Sequence, residues 1–343
     1  MKKAIFVVFF LFSSFSYIYS QTVIAKYAGE FLAIGVGGRA LAMGSAQVAV
    51  ANDVTAGYWN PAGLAMLNYP QVALMHEEHF GSLVNYNYAG VAIPYGKDMS
   101  FGLTIIRSSI DGIPDTRNAL YDANGDGVLN INTDRLDNSK ITEFNNTDWA
   151  FYLTFAKKQQ DNFYWGANVK IIRRNIAEFN ATGIGFDVGA IYIPTENFFL
   201  GANIQDVTTT LVAWSTGTNE LISPTLKIGA AYALSIFSGK LMPALDFDIR
   251  FENRKTASTF AVGPVSFDVH SGFEYKFKNI FAIRAGYNEV KEFTLGAGIF
   301  LPKLQLDYSY ARSSQSNVES LPASHRISLI ITLEQQKYVR EGM

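Results

Sequence analysis

A chain of 343 residues with 28 Lys+Arg against 30 Asp+Glu is nearly neutral and only 17% charged, while 14% of it is aromatic. Soluble domains average about 25% charged residues, and nothing here concentrates the basic charge that nucleic acid requires. The 26 Phe and 18 Tyr exclude disorder, and the absence of cysteine excludes disulfide frameworks, thiolate metal sites and cysteine nucleophiles.

The chain opens with Lys2 and Lys3, an apolar stretch over 4–12, a Ser13-Ser14 break and a small residue at Ser20. This is the region order of a secretory signal peptide over residues 1–20. Its apolar core is short for a span of about 20 residues, which argues against a retained anchor. The mature chain is expected to be exported.

Residues 21–69 read as a compact, glycine-rich insert. Gly35, Gly37, Gly38, Arg39 and Ala40 formally satisfy G-x-G-x-x-A, and Asp53 stands where a ribose-binding acid could. That fingerprint needs a parallel βαβ unit, whereas Asn60-Pro61 and alternating strands follow. Glycines such as Gly44 instead suit tight packing and left-handed turns. Asp53 is expected to cap a short helix, and Asn60 to cap one that starts with Pro61 and Ala62. Arg39 and Asp53 either pair inside a lumen or stand as independent solvated charges. A segment of this kind ahead of a barrel predicts a plug.

From residue 70 to 334 the pattern alternates with period two, as in Leu245-Asp246-Phe247-Asp248-Ile249-Arg250-Phe251. About fourteen strands are expected, near 70–80, 83–95, 98–110, 147–157, 162–173, 181–193, 197–206, 224–236, 240–252, 264–276, 279–288, 291–301, 303–312 and 322–334. Connections after even-numbered strands are all tight. Those after odd-numbered strands include every long one, over 111–146, 207–223, 253–263 and 313–321. Loops sorted by parity belong to an outer-membrane barrel with both termini on the periplasmic rim; a soluble sandwich has no reason to sort them. The fold class expected is therefore all-β, a transmembrane antiparallel barrel of about fourteen strands with an N-terminal plug, in the bacterial outer membrane. Trp149, Trp165, Tyr192 and Phe281 fall near strand ends, where interfacial girdles sit. Residues 335–343 form a tail beyond the last strand.

Two clusters invite chemistry. Asp122, Asn124, Asp126, Val128 and Asn130 have the spacing of a calcium loop, with Gly127 at the sharp turn, but Thr133 replaces the bidentate Glu. Calcium would stiffen this long outward loop; the competing reading is a solvated loop of Asn-Gly and Asp-Gly turns. His76 and His79 flank Glu77 and Glu78 but alternate across a strand, so one shared metal is not expected. Asp187, Asp246, Asp248, Arg250 and Asp268 are expected to face the lumen as polar lining. No G-x-S-x-G elbow or other enzyme constellation emerges, and no cofactor is required.

The run Ile34-Gly35-Val36-Gly37-Gly38-Arg39-Ala40-Leu41-Ala42-Met43-Gly44, with Tyr58-Trp59-Asn60-Pro61-Ala62-Gly63-Leu64-Ala65, closely resembles the PorV/PorQ-type branch of the FadL-like outer-membrane proteins. The resemblance implies a fourteen-stranded barrel with an N-terminal hatch, in which Asn60, Pro61 and Ala62 match the hatch motif. It further implies a role with exported proteins or components of type IX secretion. The alternative it implies is uptake of hydrophobic molecules such as long-chain fatty acids. Outer-membrane lipid is an expected partner in both cases; nucleic acid is not. One departure is the tail, where many barrels end on an aromatic.

Overall fold

A computed structural model describes residues 29–79, 81–252, 254, 257–314 and 323–341. The expected signal peptide lies outside the described residues. Fourteen antiparallel strands form a closed barrel. They are β1 (Gln71–His79), β2 (Val84–Tyr95), β3 (Met99–Asp115), β4 (Thr142–Gln160), β5 (Phe163–Ile176), β6 (Phe179–Thr195) and β7 (Phe198–Gln205 continued by Thr210–Trp214). Next come β8 (Asn219–Ile222, Thr225–Tyr232 and Leu234–Ile236), β9 (Gly239–Arg250), β10 (Val265–Phe277), β11 (Phe281–Tyr287), β12 (Glu292–Leu301), β13 (Leu304–Ser313) and β14 (Ser324–Thr332). The seam is sealed by β1 against β14, in register from Gln71 opposite Thr332 to Glu78 opposite His325. Closure satisfies the edge amides that hydrocarbon could not. No helix among the described residues is long and apolar enough to cross a membrane.

Alternation sets the two faces. Along β1, Ala73, Met75 and Glu77 are buried inside while Leu74, His76 and Glu78 face out. Eight residue steps separate the outward Trp149 from Lys157 on β4, roughly 20 Å along the membrane normal at ~3.3 Å per residue and ~40° of tilt. That suits the thin outer membrane. Near the rim of the short turns the girdle is continuous: Tyr95, Phe101, Phe155 and Trp165 follow one another at centroid distances of 6.0, 5.6 and 5.5 Å.

Some connections differ from expectation. Residues 207–223 are not one long loop: Thr210–Trp214 pairs with β6 and with Asn219–Ile222, leaving a short turn between them. Between these pieces the strands are interrupted only at 206–209 in β7 and 223–224 in β8, with one further break at Ala233. There Asp206 and Thr209 adopt φ of 55° and 60°, and Pro224 offers no amide to a ladder. The 111–146 loop is shortened at both ends by β3 and β4, and Leu120–Tyr121 pairs with Arg135–Leu136 inside it. Within 253–263, Phe260–Val262 hairpins back onto β10.

The tail returns to the mouth of the barrel at which β1 begins. Arg340 donates from Nε to Leu67 O (2.9 Å), from Nη1 to Met99 O (2.8 Å), and from Nη2 to Ala65 O (3.2 Å) and Ser100 Oγ (2.6 Å). One guanidinium thus joins the end of the insert to the start of β3. Arg340→Ala orphans several partly buried carbonyls and is expected to cost about 2–3 kcal/mol. A lower unfolding midpoint of the heat-modifiable band would show it.

Candidate functional site

The segment 29–69 lies in the lumen and is built of single turns. α1 (Gly38–Ala42) rests on β12 and β13; α2 (Ala56–Trp59) and the 3-10 turn Pro61–Met66 rest on β3 to β6. α1 is a five-residue helix and every sheet pairing is antiparallel, so Gly35, Gly37, Gly38 and Ala40 serve no dinucleotide fold. Asn60 is the cap expected: its Oδ1 accepts from Ala62 N (3.2 Å) with Pro61 at the first helical position. Its Nδ2 donates to Val48 O (2.8 Å) and Ala190 O (3.1 Å), tying the turn to β6. Asp53 departs from its expected capping role. Thr55 precedes α2 without a side-chain cap, and Asp53 Oδ1 accepts from Thr55 N (2.8 Å) in a turn one step earlier.

The wall makes room for this segment with glycine. A Cβ on Gly272 or Gly286, opposite one another on β10 and β11, would lie 2.2 Å from Met43 O or 2.3 Å from Gly44 N. Gly44 has φ of 63° and its own Cβ would lie 2.5 Å from Tyr287 N, so neither side of the contact tolerates a side chain.

Two chemically distinct halves result. Towards β7 to β14 the hatch is held by charge. Arg39 donates to Glu274 through Nε (3.1 Å) and Nη2 (3.2 Å), and Arg284 Nε donates to the same carboxylate (2.6 Å) while its Nη1 reaches Asp307 (2.7 Å). Arg39 does lie near Asp53, at 3.9 Å, but Glu274 is its main partner. Val48 N donates to Asp246 Oδ2 (2.7 Å), and His270 Nδ1 lies 3.0 Å from Gly44 O. Within the wall itself Lys227 pairs with Asp248, Lys170 of β5 with Asp187 of β6 and Asp206, and Arg326 of β14 with Glu77 of β1, so buried charge also reaches the other flank. Asp187, Asp246, Asp248 and Asp268 are all buried inside, with Arg250 3.7 Å from Asp268. On this side the amide of Gln47, Asn203 Oδ1 and Asp246 Oδ1 have no protein partner; buried polar atoms of that kind mark room for water.

Towards β1 to β5 the contact is mainly apolar and aromatic, crossed by hydrogen bonds from Asn168 Nδ2 to Gly57 O (2.9 Å) and from the Tyr88 hydroxyl to Val54 O (3.3 Å). Tyr58 meets Trp59 edge-on at 4.8 Å and Tyr152 at 6.2 Å. Tyr86, Tyr88, Ile106 and Ile172 complete this layer with Leu64 of the hatch. Trp59 Nε1 donates to Val36 O (2.8 Å), and the fully buried Tyr86 hydroxyl has no partner.

The calcium-spaced residues lie in the outward loop, away from the lumen. Asp122 accepts from Gly125 N (2.6 Å) and Gly127 N (2.8 Å), Asn124 from Asp126 N, and Asp126 from Val128 N (2.7 Å). These amides, Gly127 foremost, hold the Asp122 carboxyl below its usual range. Asn130 Oδ1 accepts from Asn132 N (3.0 Å). Among the described residues no three acidic or histidine side chains converge as a metal group. At the base of the loop Arg117 bridges Asp115 and Glu178, drawing Asp115 down to about 2. His76 faces lipid and His79 the lumen beside Glu77, as alternation requires.

Glu274, Arg284, Asp307 and Arg326 were not singled out from the sequence. A signal exists: each is a charge in phase with the lumen face of an otherwise apolar strand. Their pairing needs register, which alternation does not supply.

No protein-family model and no curated protein sequence matches the chain. Solved structures do. The toluene transporter TodX of P. putida aligns with a TM-score of 0.57 at 14% identity, over 87% of this chain and 97% of its own. The Ralstonia pickettii toluene transporter TbuX gives 0.55 at 13% over 87% and 97%. A Pseudomonas aeruginosa FadL homologue gives 0.53 at 13% over 87% and 98%. At such identities the likeness is one of architecture: this chain has the fold of the FadL-like outer-membrane barrels, a closed fourteen-stranded wall around an N-terminal hatch.

Proposed function

We propose that the protein is a non-enzymatic outer-membrane channel for small hydrophobic molecules, which pass between the hatch and β1 to β5. The observation that carries this reading is the asymmetry of the hatch contact. The Arg39–Glu274 ion pair anchors one side, while the other is predominantly an aromatic layer with an unpartnered Tyr86 hydroxyl. Apolar contacts are non-directional and reform after a shift, whereas buried charge pairs tolerate none. A path for an apolar molecule therefore belongs on the aromatic side. The fold shared with two toluene transporters supports the same substrate class. Purified protein in liposomes is expected to speed entry of toluene or a long-chain fatty acid over protein-free vesicles; equal rates would defeat the proposal.

The secretion reading rests on the hatch-motif resemblance, and recovery of exported proteins with the purified barrel would favour it. Calcium in the 122–130 loop rests on ligand spacing. Its test is calcium-dependent protection of that loop from protease.

A further inference from the structure

The outer face of β14, β1, β2, β3 and β4 carries a groove of about 580 Å³, a size typical of ligand clefts. Register explains its shape. Leu329, Leu74, Ala89 and Ile105 stand side by side on four adjacent strands. Ala89, between two larger side chains, leaves the trough. The level two residues nearer the outer surface changes character: His76, Asn87, Arg107 and Trp149 are paired across β1 to β4, and Arg173 follows on β5. The groove is thus apolar along its length and polar at its outward end.

The charge at that end lacks an acidic partner within the wall. Arg107 lies with Cζ 5.7 Å from the Trp149 ring centroid. Among the described residues no carboxylate lies within ion-pair distance of it or of Arg173, which donates to Thr182 Oγ1 (2.7 Å). The acid nearby, Glu78, accepts from Ser82 and sits 3.8 Å from His76. The arginines on the lumen side of the wall, by contrast, are paired: Arg174 with Asp148, Arg284 with Glu274 and Arg326 with Glu77. A guanidinium next to hydrocarbon draws its counter-charge from whatever shares the interface, and its planar fork suits phosphate.

We infer that this groove is a binding site for a phosphate-bearing, multi-acyl lipid of the outer leaflet, of the lipopolysaccharide class. Acyl chains lie along Leu74, Ala89 and Ile105, and a phosphate bridges Arg107 and Arg173 on either side of Trp149. The site is on the lipid-facing wall and does not depend on what the lumen carries.

The test is native mass spectrometry of the full-length barrel in mild detergent, offered bisphosphorylated lipid A, dephosphorylated lipid A or phosphatidylethanolamine. Wild type is expected to retain bisphosphorylated lipid A at least tenfold over the other two. Arg107→Ala combined with Arg173→Ala should remove that preference while the heat-modifiable band is kept. Ala89→Phe, which fills the trough, should reduce retention with both arginines present. Inorganic phosphate at millimolar concentration should not displace the lipid. Equal retention by the double variant, equal retention of dephosphorylated lipid, or displacement by phosphate alone would each overturn the assignment.

Discussion

Glu274→Ala is expected to destabilise the barrel by about 3–5 kcal/mol and to loosen the hatch, because breaking a buried ion pair strands its partners. The carboxylate serves two guanidiniums, Arg39 from the hatch and Arg284 from β11, and the Arg284 side chain is fully buried. Truncation leaves Arg39 with Asn52, the Val50 carbonyl and Asp53 at 3.9 Å, and Arg284 with Asp307 alone. Desolvated guanidiniums cannot shed their protons, so the penalty is not relieved by neutralisation. Glu274→Gln keeps the shape and some of the hydrogen bonding, and should cost less. Arg39→Met with Glu274→Met removes the crossing pair together and should be milder than Glu274→Ala alone. That non-additive result is the signature of direct coupling. Urea unfolding in lipid vesicles measures all three, with Trp59 reporting on the hatch. A loss under about 1 kcal/mol for Glu274→Ala would show the pair to be solvated and the hatch held elsewhere.

Gly272→Val with Gly286→Val is expected to displace the hatch without opening the wall. Both sites face the Met43–Gly44 turn, where even a Cβ would overlap backbone atoms. Main chain cannot swing aside as a side chain can, so each substitution should cost about 1–3 kcal/mol or move the turn. Displacement breaks the contact of His270 with Gly44 O and strains the Arg39 cluster on the same side. The double variant should therefore keep its heat-modifiable barrel while showing at least tenfold higher ion conductance in planar bilayers. Wild-type conductance with unchanged stability would mean that the turn does not sit against these strands.

What the amino-acid order determined by itself was whatever depends on short-range periodicity. Alternation in 245–251 put Asp246 and Asp248 in the lumen, and a count of the alternating segments yielded the strand number; Asn60-Pro61 announced a capped turn. Such features need only a residue and its neighbours two to four positions away. The order also misled where local composition and pairing diverge. Residues 207–223 look like a loop for their Thr, Ser and Gly, yet the alternating stretch Thr210–Trp214 finds β6 to pair with.

Tertiary structure alone decided which charges meet. Glu274 lies 235 positions from Arg39, and Arg340 crosses 240 positions to Ser100. Likewise, the Arg107, Trp149 and Arg173 level exists only once β3, β4 and β5 are in register. Strand phase is a local property, set by the two-residue repeat of the backbone. Register and hatch placement depend on the closure of the whole cylinder, which fixes at once every distance between strands remote in sequence.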